Sequence, residues 1–188
     1  MTTKTDSSDN LDFSGVRWGS LEWTNLGTLY LRAYGSRLKE SVLGDRAPTE
    51  AVDRINYDFV RMRRSVHPWG NRFLVALRAR QLDTWADDFL RRNPDTVVLH
   101  LGCGLDNRPF RLDVPSGVSW FDVDVPEVIR LRRLLYTERP GYTIIGSSVT
   151  EPGWLDEIPA NRPALIVAEE SLNGPPETAA SYSRGSPG

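Results

Sequence analysis

The stretch Val97-Val98-Leu99-His100-Leu101-Gly102-Cys103-Gly104-Leu105-Asp106-Asn107-Arg108 decides how the rest of the chain is read. Five residues with a strand-like run of β-formers are followed by two glycines, which weaken strands and helices alike. Glycine at 102 and 104 is explained if the backbone turns sharply off a strand and lets a ligand approach with no Cβ in the way. The third glycine of a dinucleotide turn is missing, because Leu105, Asp106 and Asn107 follow Gly104. A nicotinamide-dependent oxidoreductase is therefore disfavoured. A strand followed by two glycines is by itself as compatible with an ordinary tight turn as with a nucleotide cradle.

A second feature tips the balance. In WFDVDVP, Asp122 and Asp124 lie about twenty residues on, at the end of the next strand-like run, where an acidic side chain accepts hydrogen bonds from ribose hydroxyls. Two carboxylates one residue apart share a side of a strand. Further strands are expected at Val118 to Val123, Tyr142 to Ile145 and Ala164 to Ala168, and Pro126 opens a helix with Val128, Leu131 and Leu135 on one side. Strands alternating with helices make a parallel α/β sheet.

Upstream, Leu21 to Arg92 reads as helical. In NRFLVALRARQLDTWADDFLRR the residues Leu74, Leu82, Trp85 and Phe89 form an apolar stripe, with Arg80, Asp83 and Asp87 opposite. Arg78 falls inside that stripe and must find an anion or reach water; a structural carboxylate outweighs a ligand on this ground alone. His100 reads as a hydrogen-bonded core residue, His67 as a loop residue and Cys103 as a small packing residue. The basic run Arg61, Arg63, Arg64 and Arg72 reads first as a solvated helix face and second as a means of attracting an anionic substrate.

Composition sets outer bounds. The 188 residues are 39% hydrophobic, with six Trp, six Tyr and six Phe, enough for a core in one domain. A net charge of −2 gives no general attraction to nucleic acid, and no run has the length of a membrane span. One cysteine permits no intrachain disulfide, so a cytoplasmic setting is expected. Residues 1–14 and the Gly-, Pro- and Ser-rich 171–188 are expected to be disordered, flanking a helical cap over 15–95 and a partial Rossmann-like domain over 96–170.

LGCGLDNRPFRL, then WFDVDVPEVIRLRR, IIGSSVTEPGWLDEIP and LIVAE, occur in an order and spacing that resembles the leucine carboxyl methyltransferase family, a branch of the class I S-adenosyl-L-methionine-dependent methyltransferases that includes polyketide O-methyltransferases. The resemblance covers about Leu21 to Glu169. It implies a Rossmann-like fold with an incomplete parallel sheet of about four strands preceded by N-terminal helices. It also implies S-adenosyl-L-methionine as cofactor and methylation of an oxygen on a small-molecule acceptor. Arg78 then matches the arginine on the cofactor carboxylate, Gly102 and Gly104 the backbone approach, and Asp124 the ribose-binding acid, with Asp122 a second choice. Ser148 and Val149 match the adenine position, where relatives carry Asp-Leu, and Glu169 matches a glutamate at the cofactor's amino end. A carboxylate acceptor needs no general base, so no catalytic residue is assigned. In relatives the strand ending at Glu169 runs into further strands; here AEE meets a compositional break at Ser171. That is the pattern of a truncated or frameshifted product or of an authentic short form, and it leaves the activity of this form open. An exposed sheet edge, an oligomer formed through it, and a non-catalytic cofactor-binding or interaction module are the corresponding expectations.

Overall fold

A computed structural model describes residues 10–169. Helix α1 (Leu21–Ser36) starts at Ser20, whose hydroxyl accepts from the Trp23 N–H at 3.2 Å. Strand β1 (Leu11–Asp12) pairs in parallel with β2 (Ile55–Asn56), which follows α2 (Ala47–Arg54). Helix α3 (Phe59–Val66) is capped by Asp58, and α4 (Pro68–Arg92) follows it directly. The break between them is His67 at φ +46°, with Pro68 setting the first turn of the next helix. The disordered start expected over residues 1–14 is thus overturned in its described part: Phe13 is 1% exposed and belongs to the helical core with Leu26, Leu29 and Met62. Residues 1–9, and the tail expected to be disordered from Ser171, lie outside the described residues.

The second half alternates as its sequence pattern requires: β3 (Val97–Leu101), α5 (Arg108–Arg111), β4 (Ser119–Asp124), α6 (Pro126–Leu135), β5 (Tyr142–Gly146), a 3₁₀ turn (Pro152–Glu157) and β6 (Ala164–Ala168). All pairings are parallel in the order β5-β4-β3-β6, with Leu99 opposite both Phe121 and Ile166. This is an α/β fold of the Rossmann-like methyltransferase kind. The period-two alternation separates Val98, Trp120 and Ile144, packed with Leu90 of α4 and Ile129 of α6, from Val97, Leu99, Phe121 and Ile145, packed with Trp154.

The two sheet edges differ. On β5 the Ile144 N–H donates to Glu138 Oε1 at 2.8 Å and its carbonyl accepts from Arg133 at 2.9 Å, so side chains blunt that edge. On β6 the side chain of Ile166 is 62% exposed.

Helix α4 departs from the expected stripe. It buries Arg72, Val75, Ala76, Ala79, Ala86 and Leu90, whereas Leu74 and Trp85 are 64% and 63% exposed. Small residues let this long helix lie close to α1, so the face chosen is the one with the least side-chain bulk rather than the most apolar one. Asp83, expected on the solvent side, instead turns inward to Arg108 and Arg111.

Candidate functional site

The carboxyl ends of β3 and β4 meet at the glycine turn. Gly102 and Gly104 have φ of +61° and +53°, values open to glycine and costly for residues with a Cβ. The turn is tied to β4 by Gly102 N–H donating to the Val123 carbonyl at 2.9 Å. Asp124 grips it directly. One carboxylate oxygen accepts from Gly104 N–H and the other from Val125 N–H, both at 2.8 Å. Burial pushes the Asp124 pKa above its ordinary value, against the lowering effect of those two hydrogen bonds. Asn25 of α1 sits over the turn: a Cβ built on Gly104 would lie 2.2 Å from its Oδ1.

A narrow cleft opens beside this turn. Gly102, Gly104 and Glu169 line it together with Asn25, Thr28 and Arg32 of α1 and His100 and Asp106 from the β3 side. Glu169, just past β6, accepts from Arg78 Nε at 2.8 Å and from Arg108 at 2.7 Å, with Arg32 3.5 Å away. Arg78 therefore meets a carboxylate of its own chain, and it is one-third exposed rather than central to a buried stripe.

Around Glu169 three buried arginines, Arg32, Arg108 and Arg111, face three carboxylates. Arg32 pairs with Asp106 at 2.7 Å, Arg108 with Asp83 at 2.8 Å, and Arg111 with Asp83 at 2.6 Å and with Asp106. Burial alone would raise the carboxyl pKa values of Asp106 and Glu169, but the arginines outweigh it and hold both below the ordinary range. Asn107, which stands where a dinucleotide turn would have its third glycine, is buried and donates through Nδ2 to Asp45 Oδ2 at 2.8 Å.

Asp122 is not in the cleft, which corrects its candidacy as a ribose acid. It is fully buried two residues deeper in β4, and its oxygens accept from Tyr142 at 2.6 Å, His100 Nδ1 at 2.8 Å, Trp120 Nε1 at 3.0 Å and Arg132. Arg132 in turn donates to the Gly104 carbonyl at 2.9 Å. Asp122 thus supports the turn from beneath. His100 is neutral: burial lowers its pKa, Nδ1 donates to Asp122, and Nε2 faces an Arg108 N–H at 3.3 Å. With both ring nitrogens engaged it has no free lone pair for base catalysis. Burial likewise raises the Cys103 thiol pKa, as befits a packing residue.

Ser148 and Val149 follow β5 and do not line the glycine-turn cleft. Their loop is joined to it through Ser147 N–H, which donates to the Asp124 carbonyl at 2.9 Å, and Ser148 Oγ bonds Thr150 Oγ1 at 2.8 Å.

Sequence reasoning missed Arg32, Asp106, Arg108 and Arg132. A signal existed for Arg132, which lies four residues after Val128 on the apolar side of α6, and for Arg32, set in the apolar run Leu29-Tyr30-Leu31.

A parallel sheet with a glycine turn clamped by a strand-end carboxylate defines a protein of the Rossmann-like class. Comparison with known proteins narrows this. The family model "Leucine carboxyl methyltransferase" matches residues 33–140, more than half of the chain. The chain is 53% identical over 154 residues to the tetracenomycin polyketide synthesis O-methyltransferase TcmP of Streptomyces glaucescens, covering 82% of this chain and 56% of that protein. It is 35% identical over 176 residues to the S-adenosyl-L-methionine-dependent methyltransferase dpfgK of Gibberella zeae, covering 87% of this chain and 59% of that protein. This chain belongs to the leucine carboxyl methyltransferase family. It spans a little over half the length of these relatives.

Proposed function

We propose that the chain binds S-adenosyl-L-methionine across the glycine turn and serves methyl transfer to a carboxylate or hydroxyl oxygen of a small-molecule acceptor. The observation that carries the reading is the Asp124 carboxylate, which holds Gly104 N–H at 2.8 Å beside a cleft that Gly104 lines together with Glu169, the partner of Arg78. Each Asp124 oxygen accepts one backbone N–H and keeps further lone-pair capacity for ribose hydroxyls. The bare backbone at Gly102 and Gly104 suits a close nucleoside approach. In this reading Arg78 meets the cofactor carboxylate, Glu169 its amino group, and Ser148 and Val149 flank the adenine.

Bound there, the cofactor supplies a methyl group on a sulfonium. The chain's own part is to position and to exclude water: Arg132 and Asp124 hold the turn from two sides, and Asn25 and Thr28 of α1 roof the cleft. Neither His100 nor Cys103 is available as a base or nucleophile, which suits an acceptor that is already ionised. The relatives, an O-methyltransferase and an S-adenosyl-L-methionine-dependent methyltransferase, support the cofactor and the oxygen acceptor. Among the described residues no helix is long and apolar enough to cross a membrane. A cytoplasmic setting, and an oligomer formed through the outer edge of β6, belong to the same proposal; the free buried thiol of Cys103 and the exposed Ile166 support them.

Calorimetric titration of the 188-residue chain with S-adenosylhomocysteine, and separately with NAD, tests the reading. Binding of the first and not the second is expected. Absence of heat with S-adenosylhomocysteine would refute it and leave a non-catalytic module.

A further inference from the structure

A second cleft shares Arg32 with the one at the glycine turn and lies between the end of α1, residues 38–43 and the start of α4. It is narrow, with room for about one water-sized species. Two buried arginines line it, Arg32 and Arg72, which are 5% and 4% exposed. Their charges are met very differently. Arg32 has Asp106 at 2.7 Å and Glu169 at 3.5 Å. Arg72 forms no ion pair among the described residues; its donor contacts go to backbone carbonyls of its own helix, Pro68 at 3.4 Å and Trp69. In both arginines the Nε–H is buried with no hydrogen-bond partner.

Aromatic rings surround the Arg72 guanidinium, whose centre is 4.3 Å from the Trp69 ring, 4.1 Å from that of Phe73 and 5.9 Å from that of Tyr34. Ring faces offset part of a cation's desolvation but carry no net charge. Arg63 of α3 brings a further guanidinium to the same Tyr34 ring, also at 5.9 Å. The single carboxylate among the residues lining the cleft, Glu40, is solvent-exposed. Two like charges on one small cleft, each with an unused N–H, favour an anion between them. A water would accept those N–H groups and leave the Arg72 charge unneutralised. The size of the cleft excludes organic acids and tetrahedral oxyanions, which leaves a monatomic ion.

We infer that this cleft is a chloride site, in which one halide ion accepts from the Nε–H groups of Arg72 and Arg32 and supplies the counter-charge that no carboxylate gives Arg72. Such an ion neutralises buried charge whether or not a cofactor occupies the neighbouring cleft.

The test is the chloride NMR linewidth measured with the full chain, together with thermal melts in which chloride replaces gluconate at constant ionic strength. Excess line broadening that bromide competes away, and sulfate does not, is expected. Chloride should raise the melting midpoint saturably, by about 3–6 °C at about ten times its dissociation constant. Sulfate should act only as a gradual, non-saturating cosolvent. Arg72→Met keeps an unbranched side chain between the rings without the charge, and should abolish both the broadening and the saturable rise. In gluconate its midpoint should equal or exceed that of the unaltered chain, because the charge that needed a counter-ion is gone. Broadening that sulfate displaces as well as bromide does, a midpoint indifferent to chloride, or a chloride response retained in folded Arg72→Met overturns the site. Water or the Glu40 carboxylate as the occupant predicts no chloride response, and Glu40 as the counter-ion also predicts a lower midpoint in Glu40→Gln. The linewidth and its competition by bromide are read on the unaltered chain and decide the matter even if Arg72→Met fails to fold.

Discussion

Replacement of Asp124 probes the site at its centre. In Asp124→Ala the Gly104 and Val125 N–H groups each lose an acceptor at 2.8 Å, and the nucleoside loses the carboxylate facing its sugar. A hydrogen bond to a charged group contributes about 1.5–3 kcal/mol, so loss of one ribose contact alone weakens binding by roughly 10- to 150-fold. Loosening of the turn adds to this. Asp124→Asn preserves shape but not pattern: one amide oxygen replaces two acceptors, and the NH2 then points at one of the two backbone donors. Both variants are therefore expected to lose at least tenfold in affinity for S-adenosylhomocysteine, measured by calorimetry on protein shown to be folded by circular dichroism. The pH dependence follows from burial, which raises the Asp124 pKa: affinity should fall as pH drops through that raised value, while still above the ordinary carboxylate range. Wild-type affinity in folded Asp124→Ala would remove this residue from the site and with it the proposed cradle.

Three further outcomes are expected. Asp122→Ala leaves the fully buried Arg132 without its counter-ion and should lower unfolding free energy by about 3–5 kcal/mol in urea titrations; adding Arg132→Met should recover part of the loss. Asp106, Asp122 and Glu169 all have folded pKa values depressed by buried arginines despite desolvation, so their stabilisation is complete at neutral pH. It should disappear as pH falls from about 4, the unfolded carboxylate value, through the lower folded ones, with Glu169→Gln giving a shallower loss in urea midpoints. Gly104→Ala, at φ +53° and with its Cβ directed at Asn25 Oδ1, should lose about 1–2 kcal/mol from the backbone alone, and a second change, Asn25→Ala, should relieve only the steric remainder in thermal melts.

Much of this architecture was legible in residue order. Strands Val97–Leu101 and Ala164–Ala168 have the bounds expected from their apolar runs, and Pro126 opens α6 as its fixed φ favours. These are local properties: strand alternation, glycine freedom and proline geometry act over a few residues, so a one-dimensional reading captures them. The pairing of Gly104 with Asp124 was also accessible, because consecutive parallel strands bring their carboxyl ends together at a spacing of about twenty residues.

Which charges face one another could not be read in that way. Asp122 and Asp124 look equivalent in DVDVP, yet one is sealed in by Arg132, Tyr142, His100 and Trp120 and the other clamps the backbone of the glycine turn. Helix α4 turned its alanines inward and left Leu74 and Trp85 outside, because close approach to α1 favoured small side chains over apolar ones. The Arg32, Arg108 and Glu169 cluster unites positions up to 137 residues apart. The sequence by itself determined the order of elements and the glycine turn. Only the tertiary structure decided which buried arginines found carboxylates and which, like Arg72, did not, since desolvation and pairing depend on distances through space and not along the chain.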